Sequence, residues 1–141
     1  MAKMPKEVVD LFDDPMGIKM LGTTDKTLQP NLVVIASCSI WDEETLAFAC
    51  IALGKTKQNL ETTKRATITV HKAPNLGYQV KGIFRGWQTE GPVYDKVATQ
   101  VKDMLQTVEA DTSGFAVDSV GTMKVTDVYS VKPGLKGLKI A

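Results

Sequence analysis

This chain has few of the residues that usually mark a catalytic or metal centre. It has one histidine and two cysteines in 141 residues. The histidine, His71, has no acid or nucleophile pattern around it and cannot complete a zinc site with two scattered cysteines. Cys38 and Cys50 lack CxxC spacing and sit in apolar runs, so they read as reduced, buried thiols. Aromatic residues are only 6% of the chain, and Trp41, Trp87, Tyr78 and Phe115 are expected to pack in the core. Neither sign of charge dominates: 17 basic side chains face 16 acidic ones, with no basic run. That balance argues against a nucleic-acid binder that works by counterion release. The longest apolar run, VVIASCSIW at 33–41, is too short to span a bilayer. MAKMPKEVVDLFDDP lacks the apolar stretch of a signal peptide. A cytoplasmic protein is expected, with no membrane or nucleic-acid partner.

Apolar residues, at 43%, and charged residues, at 23%, have the proportions of one ordinary domain with a real core. The reading is a single domain over 1–141, with an N-terminal helix within 1–15 and a tail at 133–141. PKEVVDLFD at 5–13 reads as a helix, with Val8, Val9, Leu11 and Phe12 on one face. A first strand is expected over 17–24. Two apolar arms, 32–41 and 46–53, flank the polar DEET at 42–45 and read as a β-hairpin. Both arms are apolar at nearly every position, which suits a small barrel or a sheet whose outer face meets another subunit. A helix is expected over 56–64 and an alternating strand over 66–72. A long strand over 78–91 is interrupted by Gly82 and Gly86, which suggest bulges. Pro92 opens a helix to about Thr107, and 115–132 form one or two final strands. The fold class is mainly β (α+β): a six-stranded antiparallel β-barrel with peripheral helices.

One stretch carries chemistry. ALGKTKQN at 52–59 ends like a nucleotide-binding P-loop, GxxxxGK[ST]. Counting back from Gly54, the first glycine of that motif falls on Ala49, and the residues between are apolar and strand-like. The P-loop reading fails. What remains is Lys55 and Thr56 at a strand-to-helix junction, with Asn59 one turn on. Helix-start amides attract an anion, and a lysine and a hydroxyl beside them suit one phosphate. On spacing alone, Thr56 capping the helix and Lys55 standing in solvent is the simpler reading.

The surrounding segments extend this reading. ACIALGKTKQNLETTKRATITV resembles the strand–GxKxxNL–helix–strand passage of the pyridoxamine 5′-phosphate oxidase-like, FMN-binding split-barrel family. YQVKGIFRGWQTEGPVYDKVATQV, MKVTDVYSVKPG and QPNLVVIAS are similar to further segments of that family in the same order, so the resemblance spans roughly 28–134. It implies a homodimeric split barrel with FMN at the subunit interface. The phosphate would lie on Lys55 and Thr56, with Asn59 nearby. The flavin ring would lie against the backbone of Val34, Ile35, Ala36 and Ser37 and of Cys50, Ile51 and Ala52, with Gln79 reaching across the dimer. The implied activity is FMN-dependent oxidoreduction, with NADH or NADPH as a possible donor. Storage of FMN or haem, or use of the deazaflavin F420, are the implied alternatives. No arginine follows Arg85, whereas true pyridoxamine phosphate oxidases end in a segment rich in tryptophan and arginine. Pyridoxal phosphate synthesis is therefore not expected.

Overall fold

The computed structural model describes residues 2–108, 111, 116–134 and 137–141. In chain order the elements are α1 (Lys6–Asp13), β1 (Ile18–Thr24), β2 (Pro30–Ile35), β3 (Ser39–Asp42), β4 (Thr45–Cys50), α2 (Gly54–Thr63), β5 (Arg65–Lys72), β6 (Leu76–Gln88), α3 (Pro92–Leu105) and β7 (Ser119–Ser130). The seven strands form one antiparallel sheet in the order β2-β1-β5-β6-β7-β4-β3.

Two expectations need correction. The sheet has seven strands where six were expected, and β2 and β3 end it without pairing with each other, so no closed barrel forms. The apolar arm at 32–41 is two strands, and only its second half, β3, makes the hairpin with β4. The first half, β2, pairs with β1, from Lys19↔Ile35 to Thr24↔Pro30. This break dictates the shape of the molecule. Only residues 36–38 separate β2 from β3, and from Ile35 to Ser39 a chain reaches at most about 14 Å. A flat seven-stranded sheet would hold its edges about 29 Å apart. The sheet must therefore curl until its two edges nearly meet. At that seam the Ala49 amide donates to Ser37 Oγ at 3.2 Å.

The inside of the curl is the core. Leu21, Ile68, Val80, Phe84, Met123 and Val128 project inward, and Val8, Leu11 and Phe12 of α1 pack onto them. On the other side of β4 and β7, Val93, Val97 and Val101 of α3 cover Ala47, Ala49 and Val120. Both faces of β4 are thus buried by its own chain. The outer face of β2 is not, with Leu32 64% and Val34 71% exposed. Gly82 and Gly86 do mark irregularities, because the β6–β7 register shifts at Lys81/Gly82 and Phe84/Gly86. Trp41 departs from expectation. It lies at the surface of edge strand β3, 39% exposed, with Lys96 Nζ 5.8 Å from its ring centroid. Tyr78 is in the core, Trp87 stacks edge-on against Phe48 and Phe84, and Phe115 lies outside the described residues. The tail runs back along β7, where Ser130 N donates to Leu138 O at 2.7 Å and Val128 N to Ala141 O at 2.8 Å. Among the described residues no helix is long and apolar enough to cross a membrane.

Candidate functional site

The chain leaves β4 through a strained turn. Ala52 sits at φ +51° and Gly54 at φ +25°, a region that costs a non-glycine residue about 1 kcal/mol. The turn delivers the chain into α2, two residues earlier than the sequence pattern indicates. The capping position falls to Leu53, which has no side chain able to cap. Thr56 is therefore not the helix cap. It lies inside the first turn, 1% exposed, and its Oγ1 accepts from Asn31 Nδ2 at 2.9 Å. Asn59 is also buried, and its Nδ2 donates to Thr23 Oγ1 at 3.0 Å. These two bonds tie the start of α2 to β2 and β1.

The consequence is a rigidly held, uncapped helix start. Its first amides lack a side-chain acceptor from the cap residue, and a Cβ built on Gly54 would meet nothing within 4 Å. Lys55 projects from this point into solvent. Beside it runs a groove of about 490 Å³ between α2 and the loop at 25–29, lined by Lys55, Gln58 and Asn59 on one side and Lys26, Thr27 and Asn31 on the other. The one carboxylate on this groove, Asp25, serves its own loop. Its Oδ1 accepts from Thr27 Oγ1 at 2.7 Å, from Thr27 N at 2.8 Å and from Gln29 N at 3.0 Å. The Thr27 side-chain hydrogen bond leads in holding its pKa below the ordinary value. Lys26 and Lys55 leave the groove with a positive bias.

The strand residues expected at a flavin ring are brought together at the seam. Val34 and Ala36 are exposed, Ser37 is half-buried and Ile35 points into the core. The hydrogen bond from Ala49 to Ser37 sets this segment next to the end of β4, where Cys50 is buried, Ile51 half-buried and Ala52 exposed. Gln79 is not part of this cluster. It lies on β6 in the cross-strand row Val34–Met20–Thr69–Gln79, three strand spacings, about 14 Å, from Val34. It shares the outer face with Val34 but cannot meet the seam of its own chain. Cys38 is inert at neutral pH, since burial pushes its thiol up to about 12. Lys19 is fixed beside it, donating from Nζ to the Cys38 carbonyl at 2.7 Å. His71 is exposed on β5, and no metal-binding group of His, Cys, Asp or Glu exists among the described residues.

Sequence reasoning missed Asn31, the side chain that fixes Thr56. The signal available was a lone amide at the foot of an apolar strand.

Solved structures share this architecture. HupZ from Group A Streptococcus matches with a TM-score of 0.77 at 23% identity, over 98% of this chain and 99% of that one. An FMN-binding protein from Syntrophomonas wolfei matches with a TM-score of 0.76 at 18% identity, over 90% and 85%. A candidate pyridoxamine 5′-phosphate oxidase from Lactobacillus delbrueckii matches with a TM-score of 0.67 at 17% identity, over 90% and 93%. No protein-family model and no curated protein matches the chain. The chain has the fold of the pyridoxamine 5′-phosphate oxidase-like, FMN-binding proteins.

Proposed function

We propose that this protein is an FMN-binding flavoprotein that works as a homodimer. It passes electrons or hydride between a reduced donor, NADH or NADPH, and a small acceptor. The observation that carries this reading is the start of α2. Uncapped amides, the open space over Gly54 and the adjoining exposed Lys55 support a single phosphate held at this helix start. Thr56 and Asn59 act as positioning residues, through Asn31 and Thr23. Edge strand β2, exposed at Val34 and just beyond its end at Ala36, offers a backbone edge against which a flat ring can hydrogen-bond. FMN, when bound, supplies the redox chemistry. The protein's part is to hold the phosphate, orient the ring and leave one face open to the second substrate. No acid–base constellation is needed for that.

The test is the absorbance spectrum of the purified protein. Flavin bands that persist through gel filtration support the reading. A Soret band, or a colourless protein that takes up no added FMN, ends it. Lys55→Ala should weaken FMN about 10- to 100-fold, the range for losing a charge-assisted hydrogen bond of about 1.5–3 kcal/mol. Riboflavin, which has no phosphate, should be nearly unaffected, and equal weakening of both would remove Lys55 from the phosphate. Anaerobic bleaching by NADH or NADPH then separates a reductase from a storage protein.

A further inference from the structure

A second groove lies on the outer face of the sheet, with a volume of about 650 Å³, inside the range of small-molecule sites. It shares Pro30 and Asn31 with the groove at Lys55, so ligands in the two would be neighbours. Its floor is formed where β1, β5 and β6 run in register along the row Gly22–Thr67–Lys81. Gly22 leaves that floor open. A Cβ there would sit in ordinary contact, 3.7 Å from Leu32 Cδ1 and from the Thr67 carbonyl, so a larger side chain would rise into the groove. Leu32 and Pro30 form an apolar wall.

Two cations face this space. Lys81 stands directly across from Thr67, and Arg65 lies two residues before Thr67 on the same strand face. They are diagonal cross-strand neighbours, with backbones about 7–8 Å apart. Arg65 is paired with no acid among the described residues. Lys81 Nζ is held 5.2 Å from the Tyr129 ring centroid. The groove's one carboxylate, Asp127, faces Lys81 across the ladder but is bound by Lys139 at 2.9 Å. As diagonal neighbours on one sheet face, these two long cationic side chains could both reach an anion bound between them. An apolar wall beside a paired cationic end suits a planar base carrying two linked phosphates.

We infer that this groove seats the nucleoside diphosphate portion of the reduced donor, with Arg65 and Lys81 gripping the phosphates and the base lying against Leu32 over Gly22. The assignment of that ligand as the donor rests on the flavoprotein reading, but its binding can be measured without it. Calorimetric titration of the purified protein at low salt, with ADP as probe, is the test. ADP should bind, adenosine much more weakly, and Arg65→Ala or Lys81→Ala should each weaken ADP at least ten-fold while the flavin content stays unchanged. Gly22→Val should weaken ADP but not inorganic pyrophosphate, because it fills the seat of the base and leaves both cations. Absence of ADP binding, or ADP binding unchanged in both cation variants, overturns the proposal. So does loss of flavin together with ADP, since the groove would then belong to the flavin itself. A colourless protein that still binds ADP with this pattern upholds the groove and fails the flavin reading. A yellow protein that ignores ADP does the reverse.

Discussion

At Gly82 the backbone of β6 passes so close to β7 that a methyl group has nowhere to go. A Cβ there would lie 2.4 Å from the Lys124 carbonyl oxygen and 2.7 Å from Met123 Cγ. The first of these is backbone in a central strand and cannot swing aside. Gly82→Ala should therefore cost about 2–3 kcal/mol, read as a lower urea midpoint with an unchanged m-value. Gly22→Ala, whose Cβ meets nothing nearer than 3.7 Å, should stay within about 1 kcal/mol of the parent. Equal effects of the two would mean that the β6–β7 ladder yields easily. Single residues differ in how far their neighbours could be read from the sequence. Glycines that interrupt an alternating strand point to bulges, because the local pattern itself is broken. The position of Lys55 between a strand and a helix is legible for the same reason: glycine, lysine and threonine after an apolar strand form a local motif. Asn31 was not, because its partner Thr56 is 25 residues away and nothing local marks the pair. Arg65 and Lys81 likewise come together only through the strand register, which side-chain alternation does not specify.

Elements with a clear period are legible in the sequence, and those without one are not. The apolar face of α1 recurs at helical spacing, and the structure places Val8, Leu11 and Phe12 in the core. The run at 33–41 is apolar almost throughout, with no glycine or proline inside it, so the break at 36–38 is invisible locally. The break exists because β2 and β3 belong to opposite ends of the sheet, a tertiary constraint that strand propensity does not carry. α1 matters to the same curl. It packs on both β3 and β5, which are not neighbours in the sheet, and so bridges the inside of the curled sheet. Phe12 is 2% exposed at that contact. Phe12→Ala should cost about 3–5 kcal/mol. If α1 holds the curl, hydrogen exchange should also quicken at the seam, in the Ala49 amide that donates to Ser37. A thermodynamic loss with no change at Ala49 would show that α1 packs on the curl without maintaining it.

At the scale of the whole molecule, the outer face of the curled sheet is covered by α3 over β4 and β7 and largely bare over β1 and β2. The bare side has two ends of different character. Arg65 and Lys81 mark the polar end. Val34, 71% exposed, and Ile18, 56% exposed, mark the other, with Met16, 71% exposed, just before β1. Isolated exposed apolar residues are ordinary, but a cluster of three large ones on and beside two paired strands is the pattern of an interaction surface. The apolar arms suggest, from sequence, a sheet whose outer face meets another subunit; in the structure α3 covers that face of β4, and that face of β2 is exposed. The proposed homodimer would pair the apolar ends of the two chains and bring Gln79 of one subunit toward the seam of the other, a contact its own chain cannot make. Light scattering coupled to gel filtration should then find about 31 kDa, twice the chain mass of 15.3 kDa. Val34→Lys sets a charge in the middle of the patch, where burial without a partner is costly. It should shift the mass to that of one chain and release the flavin, while the far-ultraviolet circular dichroism stays unchanged because Val34 contributes little to the core. A parent protein that elutes as one chain at tens of micromolar and keeps its flavin would place the whole cofactor site within a single subunit. Gln79 would then have no part in it.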